Sequence, residues 1–297
     1  MTQSTLVTDV GVDNKGFTTF SLPDGILDLH KTFECGQCFR WNQLNDGSYK
    51  GVIEDKLVFI MDETNRQSYN DGRRHYLTTW PEDKLFWLLD YLSVYDDYTP
   101  LEKIELTDFE RVAVKKGKGI RILNQNIWET LISFIISQRN NIPKIKTSIE
   151  RLCMAAGTRL EFSWPTKPNP FEYYTFPTDK QIIALGEQGL KECGLGYRSE
   201  YVLEAARIYS NNKNNFYLMK SRNVPGDTVV QNLMELKGVG PKVANCVALF
   251  GFKKLDMFPI DVWIQRAIDT YYNGSIDTSK FGNLSGLMQQ YMFYFMR

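Results

Sequence analysis

Histidine is nearly absent from this chain, and neither sign of charge is in surplus. Only His30 and His75 occur, and thirty-five basic residues balance thirty-five acidic ones. The chain as a whole is therefore no electrostatic magnet for nucleic acid, and any DNA-binding face has to come from local asymmetry. Cysteine is scarce and odd in number, five in 297 residues, which argues against a disulfide framework and fits a reducing cytoplasm. No apolar run is long enough to span a membrane, and there is no secretory leader, internal repeat or low-complexity tract. Cys35-Gly36-Gln37-Cys38 has the spacing of a redox motif or of half a zinc site, but no second pair follows it, so no metal is expected.

What is present is enough apolar surface for a substantial core: 43% of residues are hydrophobic and 13% aromatic. The pattern of that surface changes near residues 105 to 120. Before it, Phe17 to Phe20, Cys38 to Trp41, Tyr49 to Ile53 and Leu57 to Met61 read as strands, with turns at Asn45-Asp46-Gly47 and Glu54-Asp55-Lys56, and Leu85 to Leu92 reads as an apolar helix. After it the apolar spacing is helical over Ile127 to Ser137, Lys144 to Ala156, Ser199 to Ser210, Thr228 to Lys237, Lys242 to Phe250, Val262 to Tyr272 and Leu284 to Met296. Phe162 to Thr178, with Trp164 and four prolines, reads as a long packed loop. The expectation is an α+β protein: an antiparallel β-sheet domain over residues 1–110 and a mainly helical domain over 111–297.

The densest segment is Leu236-Lys237-Gly238-Val239-Gly240-Pro241-Lys242-Val243-Ala244. Val229, Val230, Leu233, Met234 and Leu236 predict a helix from an N-cap at Asp227 towards Lys237. Gly238 stops it, Gly240 permits a second tight bend, and Pro241 opens a new helix carrying Val243, Val247 and Phe250. Two glycines let a phosphate approach backbone N–H groups, and the following helix N-terminus adds partial positive charge. Such a hairpin grips DNA backbone without reading bases, although Gly-x-Gly also occurs as plain punctuation between helices. Lys242 lies in the first helical turn, where the macrodipole disfavours a cation and so favours a neutral, nucleophilic amine; its ordinary alternative is a phosphate-binding lysine. Asp261, nineteen residues on, follows Pro259 and opens the apolar run of Val262, Ile264, Ala267 and Ile268, which suits a helix N-cap.

From about Lys118 to the C-terminus the chain resembles the helix-hairpin-helix superfamily of base-excision DNA glycosylases, and within it the 8-oxoguanine DNA glycosylase family. The resemblance is carried by the hairpin and also by Gly36-Gln37-Cys38-Phe39-Arg40-Trp41, Gly119-Ile120-Arg121-Ile122-Leu123-Asn124-Gln125, Ser133-Phe134-Ile135-Ile136-Ser137-Gln138, Gly194-Leu195-Gly196-Tyr197-Arg198 and Gln289-Gln290-Tyr291-Met292-Phe293. It implies an enzyme that rotates a damaged nucleotide out of duplex DNA. Lys242 would attack the sugar, expel the base and form a Schiff base, and elimination would nick the strand, while Asp261 would stabilise positive charge on the sugar. Cys246 and Phe293 would sandwich the base, Gln289 would read its Watson–Crick edge, and the Gly36 carbonyl would accept from the N7–H that oxidised guanine has and guanine lacks. Gly238, Gly240, Arg139, Asn140, Lys144, Tyr197 and Arg198 would contact DNA, with Tyr197 as a wedge and Arg198 reading the opposite cytosine.

The resemblance further implies a monomer acting on double-stranded DNA, with no cofactor and no membrane, in the cytoplasmic nucleoid of a bacterium or the nucleus of a eukaryote. The four-cysteine spacing that places an iron–sulfur cluster in some relatives is missing. Each residue also has a bland reading: Cys246 and Phe293 as core, Tyr197-Arg198 as the start of a surface helix, and the basic runs Lys115 to Arg121 and Arg139 to Lys146 as solvated faces. Three positions depart from the family pattern. Arg139 replaces an asparagine, Lys144 replaces an arginine and so cannot make a planar two-pronged contact, and Trp263 stands where a histidine would contact phosphate. The alternatives are a glycosylase for alkylated bases, which would not need Lys242, and a non-catalytic DNA-binding module using the hairpin alone.

Overall fold

The structure is a computed structural model that describes residues 6–64, 71–161 and 172–297. Its N-terminal part is a six-stranded sheet in the order β1-β2-β6-β5-β4-β3. The strands are β1 Thr8–Val12, β2 Thr18–Pro23, β3 Asn42–Gln43, β4 Tyr49–Ile53, β5 Lys56–Asp62 and β6 Arg73–Thr78, and every pairing is antiparallel. Register between β2 and β6 puts Phe20 opposite Tyr76, and their rings stack at 5.1 Å. The hairpin between β4 and β5 closes over Glu54 and Asp55, with Glu54 in the left-handed region at φ 53°. One face of the sheet buries a core in which Phe33 stacks on Trp41 at 4.1 Å beside Leu88, Leu89 and Leu92.

The strand expected over Cys38 to Trp41 is not formed; pairing begins only at Asn42. A half-buried strand alternates, but here Cys38, Phe39, Arg40 and Trp41 are all buried. Cys38 and Trp41 enter the sheet core while Phe39 enters the helical core, edge-on to Phe134 at 5.5 Å. The segment is a seam between two cores; elsewhere in this part of the chain β1, β6 and α1 were not expected from the sequence.

The helices are α1 Leu29–Glu34, α2 Leu85–Tyr91, α3 Asp108–Gly117, α4 Ile127–Ser137, α5 Ile142–Ala156, α6 Asp179–Glu192, α7 Arg198–Met219, α8 Gly226–Met234, α9 Pro241–Phe250, α10 Val262–Tyr271 and α11 Ser285–Met296. A border after residue 110 would cut α3, which starts from a capping box between Thr107 and Glu110 and packs on α11. The helix at 199 runs on to Met219 across a kink at Asn212. Residues 162–171 of the expected long loop lie outside the described residues; beyond them Tyr174 bridges Arg159. None of the described helices is long and apolar enough to cross a membrane.

Glu129 on α4 lies where the helical core meets the sheet. Burial, with Glu150 and Glu54 adding repulsion against the pull of Arg40, pushes its carboxyl up to about 7 from an ordinary value of 4.5. Between those values the folded chain keeps a proton that the unfolded chain has lost, so stability falls as pH rises through that window. Glu129→Gln removes the effect: the variant is expected to exceed the parent by about 1–2 kcal/mol at pH 8 and to match it near pH 4 in urea denaturation. An equal difference at both pH values would rule this out.

Candidate active site

The site assembles from helix ends and one loop. Helix α8 starts at Gly226 behind Pro225 rather than at an Asp227 cap; Asp227 instead places its charge in the first turn. The helix ends at Met234, and Gly238 follows in the left-handed region at φ 78°. A Cβ on Gly238 would lie 2.4 Å from the Tyr201 ring, so both conformation and space demand glycine. Gly240 differs: it is extended, caps α9, and has nothing within 4 Å of an added Cβ, so that side of it is open. Gly238→Ala is expected to cost roughly 2 kcal/mol or more in urea denaturation and to weaken binding to damaged and undamaged duplex alike. An unchanged denaturation midpoint would contradict this.

Pro241 and Lys242 form the first turn of α9, as expected. The Lys242 side chain is largely exposed, with Nζ 5.5 Å from the centre of the Phe134 ring. Cys246 lies one turn along the helix from it, and burial pushes that thiol up, keeping it neutral. Asp261 is the N-cap of α10, its Oδ1 accepting from the backbone of Trp263 at 3.0 Å and Ile264 at 2.9 Å. None of the described residues donates to Oδ2. Lys242 and Asp261 line one cleft of 410 Å³, together with Gly36, Asn140, Trp263 and Phe293. A larger cavity of 790 Å³ lies elsewhere, around Glu129 and Asp179, and holds neither Lys242 nor Asp261.

Gly36 sits at φ 81°, and a Cβ there would meet Phe293 at 3.4 Å, so the loop backbone lies against the edge of the aromatic ring. The loop is fixed by Gln37, which is fully buried. Its amide donates to Thr32 O at 2.8 Å and Arg121 O at 2.7 Å, its Oε1 accepts from Leu123 N at 2.9 Å, and Gln125 donates to its main-chain carbonyl at 2.8 Å. Arg121 in turn stacks on Tyr98 at 3.9 Å and donates to Asp96 O at 2.6 Å. Two of the sequence motifs are thus the two halves of one buried network beneath the cleft, a role that the sequence reading missed. Cys35 and Cys38 are buried, with burial raising Cys35 to about 12 and Cys38 well above its ordinary value, which opposes thiolate redox chemistry.

The expected DNA-binding residues fall into two groups. Arg139, exposed at φ 46°, and Asn140 form the turn between α4 and α5, and Lys144 is exposed on α5 behind the Asn141 cap. Tyr197 is 51% exposed and packs edge-on against Tyr201, the same ring that underlies Gly238. Arg198, on α7, is held by main-chain carbonyls. It is buried, stacks on Tyr197 at 4.5 Å, and gives its guanidinium to Gln138 O at 2.8 Å and Arg139 O at 3.2 Å. It therefore braces the turn carrying Arg139 and Asn140. Gln289 is buried, its side-chain carbonyl accepting from the Gln290 amide at 2.7 Å.

A hairpin-mounted amine, a capped carboxylate and an aromatic-walled cleft define a helix-hairpin-helix base-excision protein, and residues 132–280 match the model of the HhH-GPD superfamily of base excision DNA repair proteins. Residues 19–131 match the N-terminal domain of 8-oxoguanine DNA glycosylase, and the chain belongs to the 8-oxoguanine DNA glycosylase family. It is 36% identical over 263 residues to an N-glycosylase/DNA lyase of Saccharomyces cerevisiae, covering 81% of this chain and 67% of that protein. Among solved structures it resembles MBOgg1 in complex with a low-affinity DNA ligand, with 35% identity, a TM-score of 0.81, and 98% and 99% of the two chains covered. It likewise resembles the Clostridium acetobutylicum 8-oxoguanine glycosylase/lyase in complex with double-stranded DNA containing cytosine opposite to 8-oxoG, at 29% identity, a TM-score of 0.81, and 97% of each chain.

Proposed function

We infer that this chain is a bifunctional DNA glycosylase and lyase of base-excision repair that removes 8-oxoguanine lying opposite cytosine in duplex DNA. The observation carrying this reading is that Lys242 and Asp261 line one cleft with Gly36 and Phe293. An amine, rather than a water-activating carboxylate alone, predicts covalent chemistry.

The nucleotide is rotated out of the stack at a cost of about a few kcal/mol, and Tyr197 occupies the space beside the estranged base. The base enters the cleft against Phe293, with the Gly36 carbonyl accepting from N7–H; guanine would present a bare N7 to that oxygen and leave it unsatisfied. The Lys242 nitrogen bonds to C1′ as the C1′–N9 electron pair leaves with the base, and the proton lost by the amine balances the one gained by the base. Positive charge on the sugar is greatest between these events, and the free oxygen of Asp261 faces it. Ring opening gives the Schiff base. Loss of a C2′ proton then expels the 3′ phosphate, and water releases the lysine. Arg139, Asn140 and Lys144 hold the duplex, and Lys144 makes a looser opposite-base contact than an arginine would. All the reacting groups lie on one chain, so a monomer suffices, and the site of action is wherever the cell keeps its DNA, nucleoid or nucleus.

A panel of duplexes carrying 8-oxoguanine, alkylated bases or no lesion, scored for both base release and strand scission, tests the reading. Release of 8-oxoguanine with scission is the expected result. Release of alkylated bases alone would replace it with a monofunctional alkylation glycosylase, and binding without either activity would reduce the chain to a DNA-binding module.

A further inference from the structure

One charged group in the cleft has no part in the chemistry above. Arg297 lines the same cavity as Gly36, Lys242 and Phe293. It stands four residues beyond Phe293 on the same helical face, and its backbone N–H bonds Phe293 O at 3.1 Å. Its guanidinium donates one hydrogen bond, Nη1 to Glu34 O at 3.0 Å, two residues before Gly36. Among the described residues no carboxylate lies within ion-pair distance of it. Glu34, the nearest candidate, contributes its backbone here and turns its carboxylate towards Lys146 at 3.8 Å. A guanidinium carries five N–H donors in a rigid plane, and the Glu34 carbonyl occupies one of them. A cation with donors to spare therefore sits on the Gly36 side of a cleft that receives a carbonyl-rich base.

We propose that Arg297 is a base-reading residue whose free N–H groups bond the C8 carbonyl of the evicted oxidised guanine. This rests on the reading of the cleft given above. N7 and C8 are adjacent atoms of the purine, so a base that presents N7–H to Gly36 presents its C8 oxygen to the group beside Gly36, and that group is Arg297. Guanine has C–H in place of this oxygen, so the contact is a second test of oxidation, independent of the first. It also strengthens as the reaction proceeds. When the C1′–N9 pair leaves with the base, the negative charge spreads over the ring onto its exocyclic oxygens, and a cation already in place favours that state over the neutral ground state.

The test uses the full chain with Arg297→Met, which keeps length and apolar contact with Phe293, and Arg297→Lys, which keeps charge. Two duplexes are compared in a binding-only Lys242→Gln background: one with 8-oxoguanine opposite cytosine, one with a tetrahydrofuran abasic analogue that has the same phosphates and no base. Arg297→Met is expected to weaken the 8-oxoguanine duplex about tenfold, the scale of one charge-assisted hydrogen bond, and to leave the abasic duplex within twofold. With Lys242 restored, single-turnover base release is expected to slow by about tenfold or more at saturating enzyme, with Arg297→Lys between Met and the parent. Equal weakening of both duplexes would make Arg297 a backbone contact, and no weakening of either would make it a loop anchor; each overturns the proposal. Parent enzyme that fails to release 8-oxoguanine would overturn the underlying reading instead, so the two failures are distinct.

Discussion

Lys242→Gln is expected to lose base release from 8-oxoguanine duplex by at least roughly a thousandfold, and to lose entirely the covalent adduct that borohydride traps from the Schiff base. Glutamine has nearly the reach of lysine and no nucleophilic nitrogen, so the variant separates chemistry from shape. The fold has little stake in the change. Lys242 lies in the exposed first turn of α9, and its contacts are the face of Phe134 at 5.5 Å and the neutral thiol of Cys246. Surface changes of this kind usually alter stability by less than about 0.5 kcal/mol, so the melting temperature should not move and DNA affinity should survive. Adduct trapping that persists in the variant would move the nucleophile to another amine. Loss of binding together with activity would return Lys242 to its ordinary role as a phosphate contact.

How much of this could be read in the chain depended on how local the cause was. The hairpin was legible because Gly238, Gly240 and Pro241 act through their own backbone and the apolar spacing around them. The Asp261 cap was legible for the same reason, its partners Trp263 and Ile264 lying two and three residues further on. Cys38 to Trp41 was misread because alternation presumes one core and one solvent face, and this segment divides its side chains between two cores. Gln37 is invisible to a local reading, since its hydrogen bonds go to Arg121 and Leu123, more than eighty residues away. Arg198 and Gln289 show what a motif leaves open. A family motif located the residues correctly in the chain, but burial and long-range partners decide where a side chain's donors point. Arg198 finds a carbonyl sixty residues back at Gln138, and Gln289 is buried with its carbonyl taken by Gln290.

The carboxylate admits a sharper separation of its two roles. Asp261→Asn keeps an oxygen that can accept from Trp263 N and Ile264 N, and asparagine is as good an N-cap as aspartate, so the fold should be unaffected. What changes is the second oxygen. In the parent none of the described residues donates to Oδ2, which on the proposed mechanism faces the sugar; in the variant an amide group with donor hydrogens takes its place and would meet developing positive charge with positive charge. Base release is expected to fall by about 10²–10³-fold, the scale of removing one preorganised electrostatic group, with the melting temperature unchanged. Asp261→Ala should lose as much activity and also about 1 kcal/mol of stability, because the cap goes with the charge. If Asp261→Asn retained activity within a few-fold while Asp261→Ala lost it, the residue would act by holding α10 in place rather than by charge. Under that outcome Lys242 would face the sugar unaided, and the cleft would owe its rate to positioning alone.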